Sequence, residues 1–336
     1  MTVVGPFGLS VRDQALEADV QAGLTAVEEG LLEATKSEVP FITEAAQHLV
    51  RAGGKRFRPL LVMLAAQFGD PYAPGVVPSA VVVELTHLAT LYHDDVMDEA
   101  DVRRGVASAN VRWGNSVAVL TGDFLFARAS HILADLGPEA VRVQAGAFER
   151  LVTGQILETA GPQGGRDPVD HYLDVLAGKT GSLVAVSCRF GAMMSGADDT
   201  VVDVLTQYGE RLGVAFQLAD DVLDIASDSH ESGKTPGTDL REGIATLPVL
   251  RLRERTARLG LAGDIALCEL LNSDLTDDAR HAEALRLLRV HPALEQARRD
   301  TVRYAEEARA ALAPLRECDA KAALVQLCDA VVHRAG

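Results

Sequence analysis

Two copies of one acidic spacing, Asp94-Asp95-x-x-Asp98 and Asp220-Asp221-x-x-Asp224, each stand inside a long apolar run of helical period. On a helix each residue turns about 100° and rises about 1.5 Å, so positions i, i+1 and i+4 share one face. Each run must therefore present three carboxylates together. Crowded acids repel one another, and an apolar setting penalises their charged forms further, so a multivalent cation is the natural resolution. All-oxygen donors favour Mg²⁺ or Ca²⁺ over zinc. Mg²⁺ takes one or two carboxylates and fills its remaining positions with water and phosphate oxygens, which points to a diphosphate bridged through metal.

The rest of the chain agrees with a helical frame. Aromatics are 4% of 336 residues while hydrophobic residues are 48%, and the apolar content is Ala, Leu and Val in stretches of helical period. This predicts an all-α protein, read as a single domain over residues 1–336: one large helical bundle around a central tunnel. The first roughly ten residues are expected to be flexible. A formal charge of −16 excludes general affinity for nucleic acid or anionic lipid, which need clustered basic residues. Cys188, Cys268, Cys318 and Cys328 have neither CxxC pairing nor zinc-site spacing and read as free thiols. With no basic segment leading into an apolar one at the start, a cytoplasmic protein is expected. The apolar stretch from Val76 to Leu91 contains Glu84 and His87 and is too short and polar to span a bilayer, so no integral membrane segment is expected.

The periodicity predicts helices over residues 12–36, 40–52, 56–69, 76–98, 115–135, 138–160, 168–195, 199–226, 243–259, 276–289, 293–312 and 318–334. Thr276 before Asp277-Asp278 reads as a helix cap. Irregular segments follow both acidic helices: Glu99 to Gly114, with Arg103 and Arg104, and Asp228 to Glu242, with Lys234. Both place cations on mobile backbone beside carboxylates, as a site that closes over phosphates requires.

A basic cluster, Gly53-Gly54-Lys55-Arg56-Phe57-Arg58-Pro59, precedes a helix and suits a diphosphate held without metal. GGKRFRP, His87, HDDVMDE followed by Arg103-Arg104-Gly105, Gly154-Gln155, Lys179-Thr180, and FQLADDVLD with GKTPGTDLREG together resemble the trans-isoprenyl diphosphate synthases, in the family's order and spacing from about residue 40 to 250. The resemblance implies that Asp94, Asp95 and Asp98, with Asp220, Asp221 and Asp224, hold about three Mg²⁺ ions on an allylic diphosphate. It further implies that Arg103, Lys179 and Lys234 contact that diphosphate. Lys55, Arg58, His87 and Arg104 would bind isopentenyl diphosphate, and Thr180 and Gln217 would lie near the reacting carbons, so that Lys179, Thr180 and Gln217 form the catalytic set. Members of the family usually pair as homodimers.

In the family, bulky aromatics four and five positions before the first aspartate stop chain growth; here those positions hold Thr90 and Ala89. An open floor implies a product on the order of forty to fifty carbons, of the kind used as a quinone side chain. Phe148 is a candidate for a deeper floor. Two positions depart from the family pattern: Glu158 stands where an aspartate follows Gln155, and Ile244 where a lysine follows Glu242-Gly243. Without the resemblance, His87 and Tyr92 read as core residues and Trp113 as structural. A medium-chain synthase, a class I terpene cyclase and a noncatalytic partner subunit are the competing readings. The intact second acidic motif and Lys55 with Arg58 speak against the cyclase, and the six retained aspartates against the subunit.

Overall fold

The computed structural model describes residues 2–4, 9–11, 14–227 and 236–335. Sixteen α-helices occur among them: α1 (Gln14–Ala34), α2 (Pro40–Arg51), α3 (Phe57–Ala66), α4 (Val76–Met97), α5 (Ala109–Trp113), α6 (Asn115–Leu136), α7 (Pro138–Ala160) and α8 (Pro168–Leu176), then α9 (Ser182–Met194), α10 (Asp199–Ala226), α11 (Thr238–Arg241), α12 (Leu247–Leu259), α13 (Ala262–Leu271), α14 (Asp278–Arg289), α15 (Pro292–Ala311) and α16 (Asp319–Ala335). The only sheet structure among the described residues is two short antiparallel pairs, β1 (Thr2–Val4) with β2 (Leu9–Val11) and β3 (Val102–Arg103) with β4 (Val106–Ala107). The fold is all-α, as the composition predicts.

The chain forms two compact units, one of residues 1–149, 182–209 and 311–326, the other of residues 150–181, 210–310 and 327–336. In the first, α4 is the central helix. Val81, Val82, Val83, Leu85 and Leu88 are all buried, so apolar residues face inward on several sides of the helix. α3 is buried along its length. It meets α9 at backbone distance, because a Cβ on Gly191 would lie 2.3 Å from the Val62 carbonyl. Tyr92, fully buried, donates to the Ala45 carbonyl at 2.6 Å and ties α4 to α2, the packing role expected of it.

The helices α5, α11 and α13 are not among those predicted; the ends of the others fall within a few residues of the predicted ones except at three places. The run 168–195 is not one helix: α8 ends at Leu176, Ala177–Gly181 forms a π turn, and α9 resumes at Ser182. The run 243–259 starts later, at Leu247, and Asp277 rather than Thr276 caps α14, its Oδ1 accepting from the Arg280 amide at 2.9 Å. Inside the irregular segment after α4, Arg104 (φ 54°) and Gly105 (φ 78°) form a two-residue turn between β3 and β4. Positive φ at both central positions is what a hairpin turn matched to strand twist requires. All four cysteines are free.

Candidate active site

The first acidic triplet lies where α4 leaves the core. Asp95 is fully buried, Asp94 is half-buried, and Asp98 is the exposed C-terminal cap. Arg103, carried by the hairpin, donates from Nε to Asp95 Oδ1 at 2.6 Å. Burial raises the Asp95 carboxyl above its usual range, and Arg103 offsets part of that rise. Asp95 Oδ2 is buried without a hydrogen-bond partner among the described residues. A buried carboxylate oxygen left open is costly unless a ligand completes it.

The basic loop lies in the same unit. Gly53 (φ 81°) and Gly54 (φ 153°) bring the chain round in a conformation that side chains resist, and a Cβ on Gly54 would lie 2.9 Å from the Arg104 guanidinium. Lys55 is exposed, whereas Arg56 is buried and bound to Glu28 and Glu84. Arg58 is half-buried with Nε enclosed and unbonded among the described residues; burial brings its pKa down to about 10 despite Glu84 nearby. The Arg104 NH1 donates to the Leu49 carbonyl at 3.1 Å and to the Gly53 carbonyl. Burial, then Arg58, Arg104, Arg56 and Arg103, hold His87 well below its usual pKa, so it is a neutral imidazole among four guanidinium groups. This setting differs from that of an ordinary core histidine. Lys55, Arg58, His87, Arg103 and Arg104 therefore occupy one neighbourhood with the first triplet. Ala89 is buried, and Thr90 is half-buried with its hydroxyl donating to the His87 carbonyl at 2.8 Å. Phe148 packs against Phe126 with ring centroids 4.5 Å apart and the rings tilted by 54°. Trp113 packs edge-on against Phe41 and His48 and carries Arg112 over its face, which suits the structural role expected of it.

The second triplet, in the other unit, is more fully engaged. Asp221, 5% exposed, accepts from the Tyr172 hydroxyl and from Gln217 Nε2 at 3.0 Å. Burial nevertheless raises its pKa to about 7, with Asp239 and Asp220 adding to the rise. Asp224 accepts from the Thr238 and Asp239 amides at 3.2 and 3.3 Å and so holds the start of α11. Asp220 is paired with Arg334 of α16 at 2.6 Å. Lys179 and Thr180 sit in the π turn. The Lys179 ammonium donates to Glu158 at 2.7 Å, and Gln155 donates to the same carboxylate at 3.1 Å. Glu158 therefore accepts from both Lys179 and Gln155 at the position where the family pattern has aspartate.

These donors fit a hard divalent cation. Both triplets offer oxygen alone, one oxygen of Asp95 is open, and no three acidic, histidine or cysteine side chains close into a cage among the described residues. A metal here needs oxygens from a ligand, which is how Mg²⁺ binds phosphates.

The polyprenyl synthetase family model matches residues 39–286, and the nonaprenyl diphosphate synthase of Mycobacterium tuberculosis is 48% identical over 332 residues, 98% of this chain and 97% of that one. The chain belongs to the polyprenyl synthetase family. This synthetase is a trans-prenyltransferase. It is similar in structure to the geranylgeranyl pyrophosphate synthase of Corynebacterium glutamicum complexed with calcium and isoprenyl diphosphate, at a TM-score of 0.87 and 42% identity, covering 98% of this chain and 100% of that one. A decaprenyl diphosphate synthase from Rhodobacter capsulatus aligns at a TM-score of 0.85 and 35% identity, over 96% and 99% of the two chains.

Of the synthetase's predicted site residues, Lys234 lies outside the described residues, and Ile244 is 43% exposed. The sequence reading missed Glu84, Arg56, Tyr172 and Arg334 as partners of the site. Glu84 carried a usable signal, as a carboxylate inside an apolar helical run. Tyr172 and Arg334 carried none, because their partners Asp221 and Asp220 are distant in the chain.

Proposed function

We propose that the synthetase condenses isopentenyl diphosphate with an allylic diphosphate to give an all-trans polyprenyl diphosphate on the order of forty to fifty carbons, for use as a quinone side chain. In this reading Asp94, Asp95, Asp98, Asp220, Asp221 and Asp224 hold Mg²⁺ on the allylic diphosphate. Arg103, Lys179 and Lys234 contact the same diphosphate. Bound Mg²⁺ supplies Lewis-acid stabilisation of charge on the leaving diphosphate. Arg103 and Lys179 add cationic donors to that leaving group, favouring ionisation of the allylic carbon–oxygen bond. Lys55, Arg58, Arg104 and neutral His87 hold isopentenyl diphosphate, whose double bond attacks the allylic cation. Thr180 and Gln217 orient oxygen dipoles toward the developing positive charge. Loss of a proton to the departed diphosphate restores an allylic product five carbons longer.

The observation that carries the reading is Asp95: a fully buried carboxylate with one oxygen on Arg103 and the other open, at the end of an apolar helix. The long product is supported by Ala89 and Thr90 and by the likeness to the nonaprenyl synthase, although relatives named for products from C20 to C50 are also similar. Incubating purified protein with Mg²⁺, isopentenyl diphosphate and each allylic primer, then measuring product length, tests it. Release of a cyclic hydrocarbon, or consumption of isopentenyl diphosphate only with an added second chain, would replace this reading by one of the alternatives.

We further propose that the single domain pairs as a homodimer through α6 and works in the cytoplasm. α6 is long and apolar enough, by length and composition, to cross a membrane, and 33% of its apolar stretch is buried. Leu120, 65% exposed, and Val119 lie on it. A second copy covering that surface accounts for them, as an exposed apolar patch ordinarily marks a contact.

A further inference from the structure

Glu84 is a carboxylate that neither acidic motif accounts for. It sits within α4, and its side chain is 2% exposed. A lone buried carboxylate is severely penalised, so its partners must hold it. Arg56 NH1 donates to Glu84 Oε1 at 2.9 Å, and Arg104 NH2 lies 3.6 Å from the same oxygen. The two arginines differ in what they have left to offer. Arg56 spends its other nitrogens inside the protein, Nε and NH2 on Glu28 and NH2 also on the Val50 carbonyl at 3.0 Å. Arg104 has its NH1 on two backbone carbonyls, and its NH2 has Glu84 at the looser distance. Both residues have left-handed backbone, φ 46° and 54°. Such conformations persist only where surrounding contacts over-determine them. His87 is three residues further along α4, on the face that Glu84 occupies, and Arg58 and Arg104 are the charges that act on it most strongly.

We propose that Glu84 is a positioning residue for the diphosphate of isopentenyl diphosphate: its buried carboxylate fixes Arg104 against Arg56, so that Arg104, Arg58 and His87 face one anion. This rests on the assignment of Arg58, Arg104 and His87 to that diphosphate made above. Charge alone predicts the opposite consequence. A negative group beside an anion pocket opposes anion binding, so removing it would tighten binding if position did not matter. Without Glu84 the guanidinium groups of Arg56 and Arg104 repel one another, and Arg104 loses its orientation.

The test is Glu84→Gln, measured by calorimetric titration of isopentenyl diphosphate and by steady-state kinetics. The expected result is binding weaker by about tenfold or more, the loss typical when a group that orients a ligand is removed, with KM for the allylic substrate unchanged. Unchanged or tighter binding overturns the proposal. Glu84→Asp keeps the charge but draws it back from Arg104, and its affinity should fall between the two. Should Glu84→Gln fail to fold, Glu84→Asp carries the test, and wild-type affinity in it overturns the proposal. Glu28→Gln removes the other partner of Arg56. It should lower the melting temperature and leave isopentenyl diphosphate affinity as in wild type; a matching loss of affinity would overturn the specific role of Glu84. Arg104→Lys separates the two layers of inference. Wild-type affinity there removes the underlying assignment, and weakened affinity there beside unchanged Glu84 variants removes only the positioning role.

Discussion

In its proposed role Asp221 must lose its proton to hold a metal, yet its surroundings favour keeping it. Its folded-state pKa is raised to about 7 from the ordinary 3.8, chiefly by burial. The protonated form therefore carries the stability: the contribution is fully present below the unfolded value and is lost as pH rises through about 7. In metal-free protein, Asp221→Asn should melt higher than wild type at pH 8, by about a few degrees, with the gap closing toward pH 4. Calorimetry in EDTA measures this, and a pH-independent difference would show that burial is not the cause. Asp94 is only half-buried. Asp94→Ala should cost activity rather than stability, at least about 100-fold in rate, because metal stabilisation of a leaving group is worth several kcal/mol. Wild-type turnover in a radiolabelled condensation assay would remove the acidic helix ends from the mechanism.

Among elements, the π turn at Ala177–Gly181 is the most informative. It widens the helix where Lys179 and Thr180 stand, and single π turns recur at functional sites. It is held by a glycine-on-glycine contact: a Cβ on Gly178 would lie 2.8 Å from the Arg150 carbonyl and 3.1 Å from Gly154 Cα. Gly178→Ala should therefore destabilise by about 1–3 kcal/mol, since backbone cannot move aside as a side chain can. Thermal melts check this, and a neutral result would mean that the turn is not set by α7. The long helices α4, α6, α7 and α10 were legible in the sequence nearly to their ends, because their apolar periodicity persists for five turns or more. The π turn was not legible, since Ala177-Gly178-Lys179-Thr180-Gly181 lies inside a run of unbroken helical composition and its cause is a tertiary contact. The acidic and basic clusters stood out by their spacing, whereas Lys179, Thr180 and Gln217 were expectations from the family resemblance alone. What each carboxylate does could not be, because Tyr172 on Asp221 and Arg334 on Asp220 are encounters between distant segments. Ala89 on α4 is the element-level test of product length. Ala89→Phe should shorten the main product, as mass spectrometry would register, and an unchanged length would exclude this position as a floor.

At the scale of the whole molecule, the proposed pairing through α6 is tested at its most exposed apolar residue, Leu120. Leu120→Asp should convert the protein to a monomer in size-exclusion chromatography with light scattering; an unchanged mass would place the interface elsewhere. The arginines on the two acidic triplets have a different consequence. Arg103 rests on Asp95 and Arg334 on Asp220, each at 2.6 Å. The polypeptide thus supplies its own stand-in cations, so folding does not wait for metal as it does in proteins whose ligands would otherwise be left as bare repelling charges. Stripping divalent ions should silence this catalyst while leaving it assembled and ready to be re-armed.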